Sequence, residues 1–112
     1  MIYLASPYSH PDPEVREERF RAACRATVDL VERGMVVFSP IVQGHPLTQY
    51  GLRGDWEFWA KFSEEVMSHC DELCVLVIDG WIESIGLTAE LEIAKRLGIK
   101  TSILVPPSAS QD

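Results

Sequence analysis

Glu90 is the residue whose place in the chain points to chemistry. With Leu87 at zero on a helical wheel, Leu91, Ile93, Ala94 and Leu97 fall within one apolar arc about 160° wide. Glu90 falls inside that arc, between Ile93 and Ala94, whereas Glu92, Lys95 and Arg96 fall outside it. A carboxylate on the face that a helix buries is costly unless it is paired or hydrogen-bonded. Glu90 is therefore a compensated structural acid, a first-turn glutamate favouring the positive end of the helix dipole, or a working group. Its surroundings favour work. The helix follows an apolar run, Leu73–Ile78, and a glycine- and serine-containing turn, Asp79–Ser84. In open α/β sheets, ligands bind outside the carboxyl ends of the strands.

Three other groups join it. Tyr3 lies in the uncharged run Ile2-Tyr3-Leu4-Ala5, and Ser84 and Gly86 stand at the start of the Glu90 helix. These parts suit a retaining displacement at an anomeric carbon. The carboxylate attacks C1′ of a nucleoside, the base leaves, and a covalent glycosyl-enzyme forms, which water or a second base resolves. The tyrosine hydroxyl orients the carboxylate, and backbone amides near Gly86 hold a 5′-phosphate or 5′-hydroxyl. The chain has no GxGxxG, no P-loop lysine motif and no GxSxG elbow. Its Asp, Glu and His residues lack the close spacing of a metal site, so neither metal nor cofactor is expected. Weaker candidates are Trp56 and Trp59, with Phe58, for base stacking or a dimer contact. His45 is a candidate base contact, and Arg16 and Arg19 either reach a phosphate or form a solvated helix face.

The elements that must position these groups alternate. Ile2–Ala5 reads as a strand, and Ser6-Pro7-Tyr8-Ser9-His10-Pro11 as a rigid loop. Asp12-Pro13-Glu14 is a helix start, with an N-cap, a proline at the first helical position and an acid. This helix runs to about Arg33, with Val15, Phe20, Ala23, Thr27, Leu30 and Val31 on one face and Gly34 as its stop. Met35–Phe38 is the second strand, ended by Ser39-Pro40. Residues 39–54 hold Pro40, Gly44, His45, Pro46, Gly51 and Gly54 and read as a long loop. Asp55 caps a helix over about 56–69. Strand Leu73–Ile78, the helix around Leu87–Leu97, its stop Gly98 and a strand near Thr101–Val105 follow, with 105–112 as a tail. This order predicts a three-layer, doubly wound α/β fold of flavodoxin/Rossmann-like type with a four- to five-stranded parallel sheet. Strands 1 and 3 should lie side by side, with the loops Ser6–Pro11 and Asp79–Ser84 flanking one crevice.

At 112 residues the chain is expected to form one domain, 1–112. A net charge of -7 argues against nucleic-acid partners. No apolar run reaches the ~20 residues of a membrane span, and no basic region precedes the first apolar run, so a cytoplasmic protein is expected. Cys24, Cys70 and Cys74 form no CxxC pair and read as small buried hydrophobes.

Two stretches carry a resemblance. Ile2-Tyr3-Leu4-Ala5-Ser6-Pro7-Tyr8 resembles the opening strand and loop of nucleoside 2-deoxyribosyltransferase-like proteins. Ser84-Ile85-Gly86-Leu87-Thr88-Ala89-Glu90-Leu91-Glu92-Ile93-Ala94 resembles their S/D-x-G-x-x-x-E-x-G-x-A segment, and Gly98-Ile99-Lys100 their lead into the next strand. The resemblance implies a glutamate nucleophile at Glu90, oriented by Tyr3, in an N-glycosidase or deoxyribosyltransferase. Substrate contacts are then expected from Ser6, Pro7, Tyr8, His45, Asp55, Trp56, Gly80, Ser84 and Gly86. It also implies a homodimer or higher homo-oligomer, for which Trp56, Trp59 and Phe62 are the candidate contact. Two positions depart from the pattern. The aspartate that relatives use to hold or protonate the base falls on Ser63, with Glu64 beside it and Asp55 the other nearby acid. The glycine after the nucleophile is Glu92. The alternative reading is a non-catalytic module of the same fold that binds a nucleotide or nucleotide-sugar.

Overall fold

The computed structural model describes residues 1–106. Nine elements follow in order: β1 Ile2–Ala5, α1 Pro13–Glu32, β2 Val37–Phe38, α2 Pro40–Leu47, a 3-10 turn Thr48–Tyr50, α3 Trp56–Met67, β3 Glu72–Leu76, α4 Ile85–Leu97 and β4 Lys100–Leu104. Local chemistry sets three of the helix starts. The side chains of Asp12, Asp55 and Ser84 accept from the backbone N–H groups of Glu14, Phe58 and Leu87, satisfying donors that a helix start leaves unpaired. Gly98 closes α4 in the left-handed region at φ 72°, where a side chain is disfavoured.

The four strands form one parallel sheet in the order β2-β1-β3-β4. β1 and β3 are the central pair, with Tyr3 opposite Leu73 and Ala5 opposite Val75. Strand side chains alternate between faces. Tyr3, Ala5, Leu73 and Val75 point to the side covered by Met67 of α3 and Leu87, Ile93 and Ala94 of α4. Leu4, Cys74 and Leu76 point to the side covered by Ala26 and Leu30 of α1. These residues are almost fully buried, and each large one stabilises the fold by about 1.5–3 kcal/mol of removed apolar surface. The result is the three-layer, doubly wound arrangement that the alternation predicts, with four strands. No helix among the described residues is long and apolar enough to cross a membrane.

Several boundaries differ from the sequence reading. The largest difference is the stretch 39–54, which is not a loop. It holds α2 and the 3-10 turn, with Ser39 Oγ accepting from Val42 N–H and Pro40 at the first helical position. The glycine in the middle of α2 has a packing reason: a Cβ on Gly44 would sit 2.7 Å from the Trp59 ring. Val31 and Leu97, placed on core faces by their helical spacing, are exposed at the rims of α1 and α4. Cys70 and Cys74 are buried and Cys24 half-buried, all as free thiols. The expected tail lies outside the described residues except for Val105 and Pro106.

Candidate functional site

The carboxyl ends of β1, β2 and β3 open into one cavity of about 320 Å3. The loop after β1 gives it Ser6, Tyr8 and Ser9, α2 gives Gly44 and His45, and α3 gives Trp56, Trp59 and Ser63. The start of α4 completes it with Glu83, Ser84, Gly86 and Glu90. This is the switch point, where β1 connects through α1 on one face of the sheet and β3 through α4 on the other.

Glu90 is buried, 5% exposed. Its Oε2 accepts a short hydrogen bond, 2.5 Å, from the hydroxyl of Tyr3, a core residue that stands behind it rather than in the cavity wall. Oε1 takes no hydrogen bond among the described residues and is not among the sealed-off atoms, so it is the atom that meets the cavity. Among the described residues no cation accompanies the pair. Burial therefore pushes the Glu90 carboxyl up to about 8, and the Tyr3 hydrogen bond offsets only part of this. The Tyr3 phenol is pushed far above its usual range by burial and by the neighbouring carboxylate.

Two further hydroxyls are unusual. Ser6 Oγ and Ser63 Oγ both lie in the cavity lining, both are buried, and neither has a hydrogen-bond partner among the described residues. Buried polar atoms are nearly always paired, so these two hydroxyls are left to bond whatever fills the cavity, water included. Ser63 also lies near enough to the Tyr3 phenol to favour its ionised form slightly. Ser84 Oγ caps α4 by accepting from Leu87 N–H, which leaves its own proton free to donate. Trp59 is fixed from outside by its indole N–H, which donates to the Arg53 carbonyl at 2.8 Å, and by its edge-on contact with Phe62 at 4.8 Å. Its ring forms a wall of the cavity together with Trp56.

Of the residues singled out in the sequence, Ser6, Tyr8, His45, Trp56, Ser84, Gly86 and Glu90 line the cavity. Pro7, Asp55 and Gly80 do not. Pro7 is buried within the first loop. Asp55 faces solvent, where it caps α3 and binds Arg53 through both carboxylate oxygens. Gly80 lies under the Arg19 guanidinium, with φ 91°. Arg16 and Arg19 also stay outside the cavity. Arg16 donates to the His10 carbonyl. Arg19 ties the two crevice loops together, donating to the Ser9 carbonyl at 2.9 Å and, more distantly, to the Asp79 carbonyl at 3.5 Å. Trp56 and Trp59, expected to stack on a base or to form a contact between copies, line the cavity, while Phe62 keeps an exposed edge.

A Cβ at Gly80 would lie 2.2 Å from Arg19 Nη2. Gly80→Ala should therefore displace the guanidinium and strain a left-handed turn, lowering stability by about 1–2 kcal/mol. A urea midpoint equal to that of the parent protein would show that this strut contributes nothing.

One group escaped the sequence reading. Glu17 of α1 reaches the cavity wall through His45, as Oε1 lies 2.8 Å from Nε2, and His45 Nδ1 lies 2.7 Å from the Tyr8 hydroxyl oxygen. Phe20, one turn on from Glu17, stacks on the His45 ring at 4.5 Å. The i, i+3 spacing of Glu17 and Phe20 was the available signal, but it carries meaning only once α2 is known to be a helix packed on α1.

No group of His, Cys, Asp and Glu among the described residues is arranged to hold a metal ion. No curated protein matches the chain. The model of one family does match, over residues 1–105, so the chain belongs to the family described as domain of unknown function DUF1937.

Proposed function

We propose that the protein cleaves the N-glycosidic bond of a nucleoside, or transfers its sugar to a second base, through a covalent glycosyl-Glu90 intermediate. One observation carries this reading: a buried carboxyl, held at one oxygen by Tyr3, presents its other oxygen to a cavity walled by two indoles. Glu90 Oε1 attacks C1′ as the base departs, and water or an incoming base then releases the sugar with retained configuration. Tyr3 keeps Oε2 occupied, so only Oε1 is free to react. Trp56 and Trp59 offer flat apolar faces to a base, and the orphan hydroxyls of Ser6 and Ser63 offer partners to sugar or base polar atoms. The cavity falls within the ~300–1,000 Å3 range of small-molecule sites. The resemblance of residues 84–94 to a deoxyribosyltransferase-like segment supports the same chemistry.

The charge of the walls narrows the substrate. Glu83 and Glu90 line the cavity and no Lys or Arg among the described residues does. The N–H groups at the start of α4 favour an anion, yet Glu83 stands at the same helix end and opposes a dianionic phosphate. The unphosphorylated nucleoside is therefore the preferred substrate. Nucleosides and their 5′-monophosphates should be screened for released base, with and without an acceptor base. The nucleoside should exceed its monophosphate in kcat/KM by at least tenfold, about 1.4 kcal/mol. Preference for the monophosphate would overturn the charge argument. Release of no base from any member of the panel would overturn the glycosyl reading itself.

A further inference from the structure

We propose that Tyr8, His45 and Glu17 form a proton relay that protonates the departing base. This inference rests on the glycosyl reading above. Breaking the C1′–N bond leaves an electron pair on the base nitrogen, and most bases depart poorly unless that nitrogen gains a proton. Glu90 is committed to C1′ and cannot supply it. The other carboxyl in the lining, Glu83, is exposed and sits just ahead of Glu90's own helix. The wall formed by the β1 loop and α2 holds a different kind of group. There a phenol, an imidazole and a carboxylate stand in line, with heavy-atom separations of 2.7 and 2.8 Å.

Each member comes from a different element, and packing fixes the middle one. His45 is stacked on Phe20 and edge-on to Tyr8, and its side chain is 13% exposed. Glu17, at 40%, keeps contact with solvent and with Arg21. Burial raises the Tyr8 phenol above its usual range, so it enters the reaction holding its proton. The chain thus runs from solvent through Glu17 and His45 to a hydroxyl in the cavity lining.

The step balances as follows. With a proton on each ring nitrogen, His45 donates Nε2–H to Glu17 and Nδ1–H to Tyr8 Oη. The bond from Glu90 Oε1 to C1′ forms as the C1′–N bond breaks. The Tyr8 proton passes to the base nitrogen, and the Nδ1 proton of His45 passes to Tyr8 Oη. Neutral His45 remains, with Nε2–H still on Glu17. When water attacks the glycosyl-enzyme, the proton it loses returns through Tyr8 to His45, and Glu90 leaves as a carboxylate. Tyr8 is the catalytic member, and His45 and Glu17 are positioning residues that act through it.

A leaving group that departs without a proton separates this role from a packing role. Tyr8→Phe, His45→Gln and Glu17→Gln should be compared with the parent protein on a purine nucleoside and on the matching 4-nitrophenyl glycoside. On the purine nucleoside, kcat/KM should fall by roughly 10²–10³-fold for Tyr8→Phe, the usual worth of a general acid. The loss on the nitrophenyl glycoside should be at least about tenfold smaller, with His45→Gln showing the same split and Glu17→Gln a weaker one. Equal losses on the two substrates, or the split appearing in Glu83→Gln instead, would overturn the relay and leave the nucleophile untouched. A parent protein inactive on both substrates would overturn the glycosyl reading, and the relay with it.

Discussion

Glu90→Gln is expected to abolish base release, with kcat reduced roughly 10⁴-fold or more, as for loss of a covalent nucleophile. The amide cannot attack C1′, yet it is close in shape to the acid and can still accept from the Tyr3 hydroxyl. The same variant should change how stability depends on pH. The carboxyl is raised from 4.5 to about 8 on folding, so the native chain holds that proton more tightly than the unfolded chain does. The contribution of this group is fully present below pH ~4.5 and is lost as pH rises toward about 8. At ~1.4 kcal/mol per unit, the loss is at most about 5 kcal/mol. Glu90→Gln should remove that slope, so its advantage over the parent grows between pH 5 and 8. Denaturant titrations across this window check it. A parallel slope in both proteins would mean that Glu90 is ionised at no cost, and turnover by the pure variant would place the chemistry elsewhere.

Tyr3→Phe should have the second-largest effect, and it tests which protonation state of Glu90 works. A nucleophile must be a carboxylate, so kcat/KM for the parent should rise with pH through a limb near 8. The Tyr3 hydrogen bond favours that ionised form. Without the phenol, the buried carboxyl loses its one hydrogen-bond donor among the described residues, and the limb should move to higher pH. Activity at pH 7 should then fall by about 10- to 100-fold, since one to two pKa units are typical of a lost charge-assisted hydrogen bond. A Glu90 acting as an acid would give the opposite result, with activity falling as pH rises and Tyr3→Phe retaining its rate at pH 7. Measured on the 4-nitrophenyl glycoside, whose leaving group needs no proton from Tyr8, the shape of the two pH profiles decides between these roles.

What could be read in the chain beforehand divides along a physical line. α1, α3 and α4 announce themselves because Asp12, Asp55 and Ser84 cap them locally and α4 ends on a left-handed glycine. Glu90 could be found because one acid in an apolar arc is a local anomaly. α2 could not. Its sequence, Pro40–Leu47, carries two prolines and a glycine, which local propensity assigns to a loop. Packing against α1 and the Trp59 ring decides otherwise, which requires the fold. The Tyr8–His45–Glu17 line was illegible for the same reason, since His45 lies 37 residues from Tyr8 and 28 from Glu17. Gly80, expected among the substrate contacts, lies outside the cavity lining, where its missing side chain leaves room for Arg19.

The pairing of β1 with β3 has a consequence for how the chain is made. The central ladder joins residues 2–5 to residues 72–75, and the Tyr3–Glu90 hydrogen bond spans 87 positions. At ~5–20 residues per second of synthesis, β1 leaves the ribosome several seconds before its central neighbour. During that interval Leu4 and Ala5 have no sheet to bury them, and β2, only two residues long, offers little shelter. The helix that brings Glu90 comes later still. The Glu90 carboxyl is therefore enclosed among the last events of folding. Slow steps of this kind expose strand edges, so the yield of active protein should depend on what shields β1 in the nascent chain.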